Sequence, residues 1–228
     1  MLELSPRYRL YLVLVALFVT CLLVADIVAG KYFQVGPLEM SVGTVTFPIA
    51  FLLTDIVNEY YGRRGARLMT GVGMMMLLVA FALIYMSRSL PVSGGSPIEQ
   101  PAFDAVFGMS LRLFVASLVA YLISQIVDIH AFHFVKALTQ SQHLWLRAIG
   151  STALSQIVDT FVVTFGSLAG LRSTSEILVI FGTSYVYKIA VAILLTPLVY
   201  VAHDVITRRM GIAPAPVDDE SLVTVPAE

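Results

Sequence analysis

The pentapeptide Ser124-Gln125-Ile126-Val127-Asp128 places an amide and a carboxylate inside an apolar stretch of helix length. The same pentapeptide is repeated as Ser155-Gln156-Ile157-Val158-Asp159 in a second apolar stretch. A looser version, Thr54-Asp55-Ile56-Val57-Asn58, lies in a third. Such polar side chains are costly in a membrane span, and those that occur there usually face the interior of a bundle. The repeat therefore predicts neighbouring helices that present equivalent polar groups to one cavity.

Composition places these stretches in a membrane. Hydrophobic residues make up 58% of the chain and charged residues 13%, and the mean hydropathy is +0.86, whereas soluble domains carry about 25% charged residues. A window of about 20 apolar residues can cross a ~30 Å hydrocarbon core. Six such windows follow one another, at residues 8–29, 42–61, 66–86, 110–135, 145–170 and 177–203.

Short loops between the windows predict an all-α fold, one polytopic bundle of six transmembrane helices over residues 1–210. Residues 211–228 are acidic and proline-containing, without periodicity, and predict a disordered cytoplasmic tail. Nine Lys and Arg residues flank the spans on the side of both termini, against four on the other side. The excess places both termini in the cytoplasm.

Helical geometry groups the polar residues into stripes, because side chains three or four positions apart share a face. Asp159 and Lys188 are expected near mid-membrane, roughly 21 and 22 Å from the cytoplasmic end of their spans at ~1.5 Å per residue. A bundle whose stripes converge on one cavity is typical of a small-molecule transporter. The candidate substrate-binding residues are Asp55, Asn58, Glu59, Ser124, Gln125, Asp128, Ser155, Gln156, Asp159, Tyr185 and Lys188.

Simpler structural roles compete with a binding role. Asp159 and Lys188 can neutralise each other as a structural pair, and Ser124 and Ser155 can serve as interhelical hydrogen-bonding groups. Glu59 and Asp55 can form a cytoplasmic salt-bridge cluster with the basic loop 63–67.

Other site and function classes find little support in the sequence. His130 and His133 have helical metal-pair spacing but no third ligand, so we expect no metal site and no cofactor. The single cysteine, Cys21, excludes an intramolecular disulfide. The net charge of −1 argues against nucleic-acid binding. No His-Glu-x-x-His, Gly-x-Gly-Asp or phosphate-loop motif occurs, so we expect neither an enzyme nor an ATPase.

Several motifs in order give the chain a resemblance to a known family. Residues 47–62, FPIAFLLTDIVNEYYG, resemble the signature of the queuosine precursor transporter family, also called vitamin-uptake-transporter-like proteins. Leu144-Trp145-Leu146-Arg147 fits as well, as do Ser151-Thr152 with the pentapeptide that follows, and Lys188 with Thr196-Pro197-Leu198-Val199-Tyr200. The likeness runs from about Leu10 to Arg208.

The resemblance implies an inner-membrane carrier for 7-cyano-7-deazaguanine, 7-aminomethyl-7-deazaguanine or both, used for tRNA modification. The sequence leaves open whether the carrier is a monomer or a homodimer. The resemblance also implies a shape like that of the substrate-binding components of vitamin uptake systems. The alternative is a substrate-capture subunit of an ATP-driven vitamin or nucleobase uptake complex.

Such a ligand needs three kinds of contact. A carboxylate can accept from its ring N–H and exocyclic amine, a donor must meet its carbonyl, and a flat wall must cover its face. The candidate acceptors are Asp159 and Asp128, the candidate donors Gln125, Gln156 and Lys188, and the candidate walls Tyr185 and Tyr121.

Overall fold

The structure, a computed structural model, describes residues 5–28, 31–35, 38–108, 111–139 and 144–216. Long helices dominate this part of the chain, joined by one short helix and a β-hairpin. The elements are α1 Pro6–Val28, β1 Tyr32–Val35, β2 Leu38–Ser41, α2 Gly43–Ser89, α3 Gln100–Phe107, α4 Leu111–Leu138, α5 Leu144–Leu168 and α6 Thr174–Asp204, which continues as a π-helical turn, Val205–Arg209.

The predicted second and third spans lie in one element, α2. Its 47 residues would measure roughly 70 Å as a straight helix, more than twice the ~30 Å core. The helix is interrupted at Gly62, which has φ 63° and ψ −169°, a conformation that glycine adopts without steric cost. The five long apolar helices thus supply six membrane-length segments, and the polytopic bundle predicted from hydropathy is confirmed.

Contacts with α1 show that the chain reverses at Gly62. The amide of Val42 donates to the carbonyl of Lys31 at 2.8 Å, so α2 starts beside the end of α1. At its break, α2 has reached the beginning of α1, where the Arg7 side chain donates to the Tyr60 carbonyl at 2.6 Å. Tyr11 then donates to the carbonyl of Gly65 at 2.7 Å, and the second half of α2 runs back along α1.

The β-hairpin between α1 and α2 was not predicted from the sequence. Its antiparallel register pairs Tyr32 with Ser41 and Val35 with Leu38. It carries the chain from the end of α1 to the start of α2 and so fixes the entry of the second span.

The end of α6 lies at the same end of the bundle as Arg7 and the Gly62 break. The Tyr60 hydroxyl donates to the His203 carbonyl at 3.1 Å and lies 2.7 Å from Thr207 Oγ1. The N-terminus of α1 and the C-terminus of α6 therefore share one side of the membrane, as predicted. That this side is cytoplasmic remains a prediction from the basic residues.

The predicted tail begins too early, because residues 211–216 lie against the bundle. The Ala215 amide donates to the Glu59 carbonyl at 2.8 Å, and Lys136 Nζ donates to the Ala215 carbonyl at 2.9 Å. The side chains of Ile212 and Ala215 are buried, so two apolar residues and a backbone pairing fix this segment. The remainder of the predicted tail, 217–228, lies outside the described residues.

Lys136 is the centre of this attachment. Its side chain is 1% exposed, and its ammonium lies 3.2 Å from Glu59 Oε2. Removing one partner of a buried ion pair typically costs about 3–5 kcal/mol, because the other charge is left uncompensated. We expect Lys136→Met to lower the thermal unfolding temperature of the purified protein clearly.

Lys31→Met is the matched control, because Lys31 is exposed, and it should leave the unfolding temperature unchanged. Adding Glu59→Gln to Lys136→Met removes the uncompensated carboxylate and should recover part of the loss. Equal unfolding temperatures for wild type and Lys136→Met would contradict the attachment.

Candidate functional site

One face of α5 supplies polar contacts to three other helices. Ser151, Ser155 and Asp159 are four positions apart, so they form one stripe. Ser151 Oγ donates to Asp55 Oδ1 on α2 at 3.4 Å, a long hydrogen bond. Ser155 Oγ donates to Asp128 Oδ1 on α4 at 3.1 Å. Asp159 reaches both α4 and α6, so this stripe joins the four polar segments predicted from the sequence.

The two copies of the pentapeptide bind each other reciprocally. Ser155 donates to Asp128, and Ser124 Oγ donates to Asp159 Oδ1 at 3.4 Å. Each serine thus serves the aspartate of the other copy, the arrangement expected of antiparallel helices related by a local two-fold axis. Gly166 supports the close approach, because a Cβ there would lie 2.8 Å from the Cβ of Ala116 on α4.

The predicted meeting of Asp159 and Lys188 is confirmed. Lys188 Nζ lies 2.7 Å from Asp159 Oδ2 and donates to Thr160 Oγ1 at 3.2 Å. The lysine is on α6 and both partners are on α5, so this ion pair joins the two helices inside the spans.

Glu59 has a partner that the sequence did not suggest. A cluster with the basic loop 63–67 was one alternative, and the structure adds an ion pair between Glu59 and Lys136 of α4. Lys136 had been assigned only to the charge bias of the loops. Asp55 contacts Ser151 of α5, so the two carboxylates of α2 bind different helices.

A central pocket opens between the first half of α2, α5 and α6, with about 450 Å³ of empty space that includes its opening to solvent. Three of the predicted residues line it, namely Asp55, Gln156 and Lys188. The apolar part of the lining includes Pro48, Phe51, Leu52, Ile149, Leu195 and Val199. The pocket thus combines a carboxylate, an amide and an ammonium group with apolar walls.

Gln156 and Asn58 carry buried amides without partners. Gln156 is 2% exposed and Asn58 is fully buried. Within the described part of the chain, neither the oxygen nor the nitrogen of either amide has a hydrogen-bond partner. Buried polar groups are nearly always hydrogen-bonded, because an unmet donor or acceptor costs about 1–3 kcal/mol. Gln156 lines the pocket, so a ligand there can satisfy its amide.

The other predicted residues lie outside the lining of the central pocket. Gln125 is buried on α4. The Tyr185 hydroxyl donates to the Ala153 carbonyl at 3.2 Å, and the Tyr121 hydroxyl donates to the Thr70 carbonyl at 3.0 Å. Neither tyrosine is a wall of the pocket; Phe51 is the aromatic residue in that position.

Sequence reasoning missed Ser151, Thr152 and Phe51 as site residues. Ser151 and Thr152 belong to a motif of the resemblance and were not selected as site residues. The sequence does contain a signal for Ser151, which continues the four-residue spacing of Ser155 and Asp159. Phe51 offers no comparable signal, since it is one of many apolar residues in its span.

Comparison with known proteins places the chain among transporters. Residues 41–202, more than half of the chain, match the family described as "Putative vitamin uptake transporter". The chain belongs to this family. It is therefore a multi-pass membrane transporter and not an enzyme. No solved structure gives a significant match.

Curated relatives agree with membership of the vitamin uptake transporter family. A Bacillus subtilis protein named "Probable queuosine precursor transporter" is 32% identical over 183 residues, covering 80% of each chain. A Haemophilus influenzae protein of the same name is 27% identical, covering 74% of this chain and 70% of its own. The "Queuosine precursor transporter" of Escherichia coli is 30% identical over 54% of this chain and 52% of its own.

The ion pair between α5 and α6 predicts a compensation. Asp159→Asn leaves the Lys188 ammonium without its carboxylate, and Lys188→Met leaves the carboxylate without its ammonium. Each single change should lower the unfolding temperature, because an uncompensated charge inside the bundle is costly. The double variant should recover most of the loss. Thermal unfolding of the four proteins in one detergent checks this, and a double variant less stable than both single variants would contradict it.

Proposed function

We propose that the chain imports queuosine precursors, 7-cyano-7-deazaguanine or 7-aminomethyl-7-deazaguanine, across the cytoplasmic membrane, the inner membrane of a two-membrane cell. Two lines support this. Curated relatives with up to 32% identity carry the name of such transporters, and the central pocket has the polar groups that a deazaguanine requires. The observation that carries the proposal is the buried, unpartnered amide of Gln156 in the lining.

The geometry changes the roles expected from the sequence. Asp55 replaces Asp128 and Asp159 as the carboxylate for the ring N–H and exocyclic amine, because it alone of the three lines the pocket. Asp128 and Asp159 accept hydrogen bonds from serines on the facing helix.

The remaining contacts of the ligand follow from the same lining. Lys188, held in place by Asp159, is the donor for the ring carbonyl. Gln156 presents both a donor and an acceptor to the polar edge, and Phe51 covers a face of the ring. A ring without these groups leaves buried polar atoms unmatched, and this mismatch provides specificity for guanine-like edges.

The repeated pentapeptide provides a matched test of the central pocket. Gln156→Leu removes an amide that lines the central pocket. Gln125→Leu removes the equivalent amide of the first pentapeptide, which lies outside the pocket lining. Loss of hydrogen bonds and the unmatched ligand atoms together cost about 1.5–3 kcal/mol, and 1.4 kcal/mol corresponds to tenfold in affinity. We expect Gln156→Leu to weaken deazaguanine binding by roughly ten- to a hundredfold, and Gln125→Leu to change it little.

Calorimetric titration of the purified variants with both deazaguanines and with guanine gives the affinities. Equal weakening by both variants would place the ligand elsewhere in the polar core, and unchanged affinity in Gln156→Leu would remove the pocket from the proposal.

A cellular experiment tests the substrate itself. Cells that cannot make the deazaguanine core, supplied with it at low concentration, should need this gene to place queuosine in tRNA. Equal tRNA modification with and without the gene would show that the substrate is wrong. Uptake by the chain alone in proteoliposomes supports a stand-alone carrier, whereas uptake only with co-purified ATPase subunits supports the substrate-capture alternative.

A further inference from the structure

A second pocket lies at the far end of α1 from the Gly62 break. It is formed by α1, the second half of α2 and α3, and has about 360 Å³ of empty space. We name it the outer pocket, after the predicted orientation. Among the described residues, its lining is apolar and aromatic apart from the one charged side chain, Asp26; Phe81 and Phe107 supply the rings.

Asp26 differs from the other carboxylates of the spans. Asp159 is paired with Lys188, Glu59 with Lys136, and Asp128 accepts from Ser155. Asp26 is partly buried, yet among the described residues its side chain has neither a hydrogen bond nor an ion pair. An ionised carboxylate in apolar surroundings is costly unless a cation or a hydrogen-bond donor accompanies it.

Arg88, a cation at this end of the bundle, is already engaged. Arg88 Nε lies 2.7 Å from Asp104 Oδ1 on α3, and Gln100 donates to the Arg88 carbonyl at 3.2 Å. The hydrogen bond from Arg88 holds the pKa of the Asp104 carboxyl below its usual range. These contacts fix α3, with Phe107, as one wall of the outer pocket and leave Asp26 without Arg88.

We propose that the outer pocket binds an organic ammonium group, with Asp26 as its counter-ion. A carboxylate supplies the charge, and the rings of Phe81 and Phe107 suit a cation carried on an apolar body. A bare Na⁺, Mg²⁺ or Ca²⁺ ion does not fit, because such ions require several oxygen ligands, and the lining supplies one carboxylate among apolar side chains.

The outer pocket is linked to the polar core. Asp26 lies within electrostatic reach of Asp159 on α5 and of Tyr121 on α4. A cation bound at Asp26 reduces the repulsion between the two carboxylates. Where the proposed function holds, the natural ligand is the aminomethyl form of the deazaguanine, which carries a primary amine; this assignment rests on that function, whereas the ammonium site itself does not.

The site can be tested with a probe unrelated to deazaguanines. We would compare 4-fluorobenzylamine, protonated at neutral pH, with the neutral 4-fluorobenzyl alcohol by ¹⁹F NMR on the full chain in phosphatidylcholine nanodiscs, with empty nanodiscs as background. The wild type should bind the amine at least tenfold more tightly than the alcohol, a difference expected of a charged hydrogen bond. Asp26→Asn should abolish that preference.

Glu99→Gln is the matched control, because Glu99 is an exposed carboxylate at the same end of the bundle; it should keep the preference. Ala80→Leu fills the outer pocket without changing its charge and should weaken amine binding at an unchanged unfolding temperature. The proposal is overturned if the wild type shows no preference for the amine, if Asp26→Asn keeps it, or if Ala80→Leu binds the amine as tightly as the wild type.

Titration with the two deazaguanines tests whether the outer pocket binds the amine of the proposed substrate. The wild type should bind the aminomethyl form more tightly than the cyano form, and Asp26→Asn should reduce the ratio of the two affinities towards one. A ratio unchanged by Asp26→Asn would overturn the assignment of the amine to the outer pocket. If neither deazaguanine binds while 4-fluorobenzylamine still requires Asp26, the proposed function fails and the ammonium site stands.

Discussion

The reciprocal hydrogen bonds between α4 and α5 are the constraint on which the rest of the bundle depends. The hydrocarbon region offers no water to a carboxylate, so a buried aspartate needs its partners inside the protein. Asp128 and Asp159 each accept from the serine of the facing helix. This arrangement fixes rotation and register together, because a slip of one residue would turn both aspartates away from both serines. The repeated pentapeptide therefore fixes the packing of α4 against α5, and the candidate site is formed around this contact.

The polar residues of the core divide into those that hold helices and those that remain for a ligand. Ser151, Ser155 and Asp159 are used in contacts to α2, α4 and α6. Gln156 lies one position beyond Ser155, so it points to the side of that stripe, into the central pocket. Rigid, satisfied pairs behind an unsatisfied amide are what a preorganised site requires, since the ligand then meets groups that do not need to move.

Much of this fold follows from hydropathy and much of the site does not. The six segments and the shared side of the termini could be predicted, because apolar length and charge bias are properties of the chain itself. The ion pair between Glu59 and Lys136 could not, because it depends on how α2 and α4 are rotated and which helices are neighbours. Residues 211–216 look like a tail by composition, yet the apolar Ile212 and Ala215 and a backbone pairing attach them to the bundle.

The two copies of the pentapeptide are identical in their polar residues but have different surroundings, and this asymmetry creates the central pocket. Gln125 and Gln156 hold the same position in the two copies, yet of the two only Gln156 lines the pocket. The difference comes from the helices outside the pair. The first half of α2 and α6 both lie against α5, where Asp55 and Lys188 line the same pocket as Gln156. The paired helices α4 and α5 supply the rigid frame, and the neighbours of α5 bring a carboxylate and an ammonium group to the pocket that Gln156 lines.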